Sequence, residues 1–141
     1  DVVFRSGIPL VMHGLDVTHK MLVTEERVEE FSNLPAPMGP WLADLLAFFN
    51  RYDRQRYKSK GAPLHDPCTI AYLIDPTIFS GKQCNLQVEI SSELTMGQTV
   101  VDWWQATDRP TNATVIVDGD DERFFDLLKN RLRSLADKTS G

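Results

Sequence analysis

Cysteine is scarce in this chain. Of 141 residues only Cys68 and Cys84 carry thiols, and they stand in no Cys-x-x-Cys spacing, which excludes a disulfide scaffold and a cysteine-rich zinc site. Each reads as a small buried apolar residue in a reducing compartment. Positive charge is also in short supply. Fifteen Lys and Arg face 20 Asp and Glu, for a formal charge of −5 and a pI near 5.1, a poor match to nucleic acid or to an anionic membrane surface. No apolar run approaches the roughly 18–20 residues that span a bilayer, and no charged segment followed by an apolar stretch opens the chain. A cytoplasmic protein is expected, with neither membrane nor nucleic acid among its partners. Gly-rich phosphate loops, a Gly-x-Ser-x-Gly elbow, paired-carboxylate motifs and internal repeats are all missing. So is an initiating methionine: the chain starts on DVVFRSGIPLVMHGLD and is expected to be a piece of something longer.

What is present suits one hydrophobic core. Hydrophobic residues make up 42% and charged residues 25%, so residues 1–141 read as a single α/β domain or fragment. IPLVMHGLD, a nearly continuous apolar run closed by Gly14 and Asp16, suits a strand buried on both faces. Thr24 before Glu25 and Glu26 reads as a helix N-cap with acids in the first turn, and predicts a helix over about 24–33. NLPAPMGP then interrupts the chain. Trp41, Leu45, Phe48, Phe49 and Tyr52 recur at helical spacing and predict an amphipathic helix over about 40–57, its aromatic stripe turned to the core.

Asp66-Pro67 is a favourable helix start. Ile70, Ala71, Leu73 and Ile74 supply the apolar face of a short helix over 66–74, which Asp75-Pro76 ends. Leu86, Val88 and Ile90 alternate with Gln87, Glu89 and Ser91 as a half-buried strand. TVVDWW and ATVIVD complete at least three strands between residues 84 and 118. Phe124, Phe125, Leu128, Leu132 and Leu135 make a closing helix over about 121–136, begun by Asp120 or Asp121. The tail DKTSG reads as frayed.

Two features carry candidate chemistry. In GAPLHDPCTIAYLIDP, Asp66 is either a helix cap beside a surface loop histidine or a hard oxygen ligand beside an acid, His65. One carboxylate falls short of the about 6–8 oxygens that calcium takes, and His13 and His19 have no zinc-like spacing to His65. The second feature is RYDRQRYKSK, where Arg51, Arg54, Arg56, Lys58 and Lys60 face Asp53 alone. A solvated helix end is the plain meaning, although Tyr52 and Tyr57 could stack on a base.

SGIPLVMHGLDVTHK, GAPLHDPCTIAYLIDP, GQTVVD and NATVIVD resemble, in order and spacing, segments of the inosine-uridine-type nucleoside hydrolases, and most closely their pyrimidine-preferring bacterial members. The likeness runs from about Val2 to Leu135 and corresponds to the C-terminal part of that family's open mixed-sheet fold. It implies that His65 is the acid that assists departure of the nucleobase, that Asp66 binds the catalytic Ca²⁺, and that Tyr57, with Asp53 one turn before it, lies near the base. The reaction implied is hydrolysis of the N-glycosidic bond of a ribonucleoside, through an oxocarbenium-like state. The Asp-rich metal motif and the Glu-Phe-Asn ribose segment of that family do not occur in this sequence. Alone, the chain is therefore expected to hold Ca²⁺ weakly and to hydrolyse nothing. Its implied partners are the missing N-terminal part, a ribonucleoside and further copies in a homo-oligomer. The alternative is a non-catalytic structural or oligomerisation domain of the same fold. A sheet strand deprived of neighbours should in either case promote dimerisation or swapping.

Overall fold

The computed structural model describes residues 1–139. In chain order the elements are β1 (Val11–His13), α1 (Leu15–Thr18), β2 (Leu22–Val23), α2 (Glu25–Ser32), α3 (Met38–Tyr57), β3 (Ala62–Pro63), α4 (Asp66–Ile74), β4 (Phe79–Val88), β5 (Thr99–Asp102), β6 (Ala113–Gly119) and α5 (Asp121–Thr139), with a 3₁₀ turn at Pro76–Ile78 before β4. Four strands form a mixed sheet in the order β1-β6-β4-β5. β1 runs parallel to β6, with Val11 opposite Thr114 and His13 opposite Ile116, whereas β4 pairs antiparallel with both β6 and β5. The register shifts between Ser80 and Gly81. A Cβ on Gly81 would sit 2.2 Å from the Val115 carbonyl oxygen, so only glycine permits that approach. A separate ribbon pairs β2 with β3, Leu22 opposite Pro63 and Val23 opposite Ala62.

The local signals act as chemistry requires. Thr24 Oγ1 accepts the Arg27 N–H at 3.3 Å and caps α2. Asp120 does the same for α5, its Oδ1 accepting the Arg123 N–H at 3.1 Å. The main core gathers Val17, Met21, Val23, Phe31, Cys68 and Phe124, all essentially inaccessible. Arg27 closes it. Its guanidinium donates to the Leu22 carbonyl at 2.7 Å and to Asp121 at 2.6 Å, and lies 3.9 Å above the Phe125 ring. A second cluster, built on Cys84, Leu86, Ala113 and Val115, lies on the sheet beneath Met12 and Trp103. His13 packs edge-on against Tyr72 and Phe79 at 5.3 and 5.0 Å, and burial lowers its pKa.

Several expectations need correction. The PLVMHGLD strand shrinks to Val11–His13, because the chain turns at Gly14 into the single helical turn of α1. Among the described residues its only partner is β6, and Val11 is 41% exposed, so β1 is an edge strand and is not buried on both faces. The aromatic stripe of α3 is likewise outside the core. Trp41 and Phe48 are each 65% exposed, while Gly39, Leu46 and Asn50 are the buried positions. In α4 the buried residues are Cys68 and Ala71; Ile70, Leu73 and Ile74 face outward. Periodicity shows that a helix has an apolar face, not what covers it. β4 begins at Phe79, earlier than the alternating run suggests, and Ile90 falls beyond its end and is exposed. Asp137 to Thr139 continue α5 instead of fraying; residues 140–141 of the predicted tail lie outside the described residues. Among the described residues no helix is long and apolar enough to cross a membrane.

Both cysteines are free and buried, as their scarcity suggested. Cys68 Sγ donates to the Leu64 carbonyl at 3.0 Å, and burial pushes its thiol up to about 11. The reactive species is the thiolate. Cys68 is therefore expected to resist a thiol reagent at about pH 8 and to react only after denaturant is added, which a timed labelling assay checks.

Candidate active site

A cavity of about 670 Å³ opens between the end of α1, the last turns of α3 and the β2–β3 ribbon, lined among others by His19, Tyr52, Asp53, Tyr57, Gly61 and His65. Asn50 sets its walls. Buried on α3, its Nδ2 donates to the Val23 carbonyl and its Oδ1 accepts the Ala62 N–H, each at 2.8 Å, so one side chain ties the helix to both ribbon strands. Gly61 allows the ribbon to close, since a Cβ there would lie 2.1 Å from the Val23 carbonyl oxygen. Asn50→Leu strands a buried donor and a buried acceptor. It is expected to cost about 2–6 kcal/mol in chemical denaturation, at roughly 1–3 kcal/mol per unsatisfied group.

His65 occupies the N-cap of α4, half-buried, and its Nδ1 lies 2.9 Å from Thr18 Oγ1. The His19 ring stands 5.7 Å from the His65 ring, centroid to centroid. Across the cavity, Tyr52 and Tyr57 meet edge to face at 6.1 Å. Tyr57 has its hydroxyl pKa raised, first by electrostatic interaction with Tyr52, and then by their hydrogen bond and by Asp53. The structure thus brings together His65, Tyr57 and Asp53, three of the four residues singled out from the sequence.

Asp66, the fourth, is exposed, is the first residue of α4 and is not among the residues lining the cavity. No side-chain hydrogen bond caps α4, so the helix-cap explanation of Asp66 fails. Its carboxylate remains available as an oxygen donor beside His65. The described residues contain no group of three or more His, Cys, Asp or Glu able to hold a metal ion, so they fit Ca²⁺ only as one corner of a larger ligand shell. The basic run 51–60 is the solvated helix end expected, with its five cations exposed and Arg54 paired to Glu25. Thr18 escaped the sequence reading, and His19 was weighed there only as a zinc ligand and set aside on its spacing. Their one signal is the position of the Thr-His pair directly after the Gly14 turn, and Thr18 stands 47 residues from the ring it touches.

The family profile described as "Inosine-uridine preferring nucleoside hydrolase" matches residues 1–126. The chain belongs to this family. It is 48% identical over 133 residues to the pyrimidine-specific ribonucleoside hydrolase RihA of Shewanella sp. (strain MR-4), covering 94% of this chain and 42% of that protein. A RihA of Photobacterium profundum is 45% identical over 133 residues, with coverage of 94% and 43%. Among solved structures, a purine-preferring ribonucleoside hydrolase from Gardnerella vaginalis superposes with a TM-score of 0.83 at 34% identity, over 96% of this chain and 43% of that one. A plant nucleoside hydrolase, the PpNRh1 enzyme, superposes with a TM-score of 0.81 at 26% identity, over 94% and 44%. The chain therefore spans less than half the length of these nucleoside hydrolases and corresponds to their C-terminal part.

Proposed function

We propose that the complete protein containing this chain hydrolyses the N-glycosidic bond of ribonucleosides, with pyrimidine nucleosides preferred, as a Ca²⁺-dependent enzyme of cytoplasmic nucleotide salvage. The observation that carries the reading is the cavity itself, in which a histidine anchored by a hydroxyl faces two tyrosine rings and a carboxylate. A flat heterocycle suits such walls, since stacking on an aromatic ring contributes about 1–3 kcal/mol per base. His65 donates a proton to the base as the C1′–N bond breaks, and water adds at C1′ to give free ribose. Asp53 and Tyr57 orient the base by hydrogen bonds to its polar edge.

Asp66 would be one ligand of the Ca²⁺ ion. When bound, that ion would supply charge that orients the ribose hydroxyls and the water. The remaining ligands and the base that activates water belong to the rest of the protein, so this chain alone is inactive. Pyrimidine preference leans on the names of the two RihA relatives.

The exposed apolar faces of α3 and α4 support association with the remaining chain and with further copies of the protein. Separate incubations of the complete protein with uridine and with inosine, followed by base release on a chromatograph, test the assignment. Faster release of uracil than of hypoxanthine is expected; intact nucleosides would refute it.

A further inference from the structure

We propose that Thr18 is the positioning residue for His65. Its hydroxyl accepts the Nδ1–H of the imidazole, leaving Nε2 as the nitrogen that exchanges a proton with the occupant of the cavity. The inference rests on the reading of His65 as an acid, and deepens it.

The geometry favours a built contact over a chance one. Thr18 is 2% exposed, so water does not compete for its hydroxyl. The residue is fixed at both ends: its N–H donates to the Gly14 carbonyl at 3.2 Å, and its own carbonyl accepts the Met21 N–H at 3.0 Å. His65 is held in turn by its place at the start of α4, where Cys68 N–H donates to its carbonyl at 3.2 Å. Two fixed backbones thus set a 2.9 Å contact that leaves the ring little freedom to rotate.

Proton bookkeeping decides the direction of that bond. An imidazole that gives up a proton at Nε2 starts as imidazolium, with both nitrogens donating. Nδ1–H then needs an acceptor, and the hydroxyl oxygen of Thr18 is one. As the C1′–N bond breaks, its electron pair goes to the base nitrogen, the Nε2 proton goes to the base, and Nε2 keeps the lone pair. Nδ1–H remains on Thr18 throughout, so the ring need not turn between states. The Thr18 hydroxyl hydrogen is free to seek a carbonyl one turn earlier, a common arrangement for threonine in helices. His19, just after α1, Asp66, the next residue in the chain, and Tyr52, Asp53 and Tyr57 from α3 are the other titratable groups near His65, and none of them hydrogen-bonds to Nδ1.

The test compares Thr18→Val and Thr18→Ser in the complete protein, using uridine and a nitrophenyl riboside whose leaving group departs without a proton. Thr18→Val is expected to lower kcat on uridine by roughly 10–100-fold, the scale of a mispositioned catalytic group, with KM and nitrophenyl riboside turnover unchanged. Thr18→Ser, which keeps the hydroxyl, is expected to restore the uridine rate. Equal losses on both substrates, or none on either, would overturn the proposal while the unsubstituted protein stays active. Failure of the underlying function shows differently, as no uridine cleavage by the unsubstituted protein. Nitrogen-15 NMR of histidine-labelled protein gives a readout independent of activity. Neutral His65 is expected to carry its proton on Nδ1 in the unsubstituted protein and to lose that preference in Thr18→Val; an Nε2–H tautomer in the unsubstituted protein would contradict the assignment.

Discussion

Asp66→Asn is expected to abolish ribonucleoside hydrolysis by the complete protein while changing its stability by no more than about 1 kcal/mol, the scale of a charge near a helix N-terminus. The asymmetry follows from where Asp66 sits. Exposed at the first position of α4, it leaves the helix without a side-chain cap to lose. Asparagine keeps the size and one oxygen but removes the negative charge that a hard divalent cation demands. Under the proposed function, a ligand shell of about 6–8 oxygens that loses one carboxylate would bind Ca²⁺ more weakly, and the ribose hydroxyls would lose an anchor. Initial rates at rising Ca²⁺, set beside thermal unfolding of the same samples, check both halves. Full activity at low Ca²⁺ would remove Asp66 from the site, and a large stability loss would return it to a structural role.

His65→Ala is expected to slow uridine hydrolysis by roughly 10²–10⁴, the range of general-acid catalysis. A riboside with a nitrophenolate leaving group should be cut at nearly the unsubstituted rate. The difference arises because uracil departs poorly without a proton, whereas nitrophenolate needs none. His65 does not belong to the buried core, and its ring bonds only to Thr18 among the described side chains. Removing it should therefore alter chemistry before folding. Similar losses on both substrates would assign His65 to ribose or metal binding instead of proton transfer.

The sequence made the elements legible where local chemistry specifies them. Thr24 and Asp120 cap the helices that their positions announce, and Asp66-Pro67 opens α4 as expected. What stayed hidden was set by tertiary partners. Trp41 and Phe48 read as core because an apolar stripe looks the same whether the neighbouring surface lies within this chain or elsewhere. The IPLVMHGLD run announced its close near Gly14 but not that the strand starts only at Val11 or lies at the sheet edge, since a short apolar run carries no period of its own. At the site, the motif alone left His65 open, and it was the family likeness that pointed to His65, Tyr57 and Asp53, which line one cavity. Thr18 and His19 were legible from neither. No spacing rule connects a helical turn near residue 18 to a histidine 47 positions later; the sheet and the β2–β3 ribbon bring them together.

The central claim is that the complete protein breaks the N-glycosidic bond with water. Mass spectrometry of its products from uridine, in phosphate-free buffer containing Ca²⁺, tests that most directly. The account predicts uracil and free ribose in equal amounts, formed by the unsubstituted protein and lost on chelation of the metal. Unchanged uridine under these conditions, or cleavage that begins only when phosphate is added and yields ribose 1-phosphate, would contradict it.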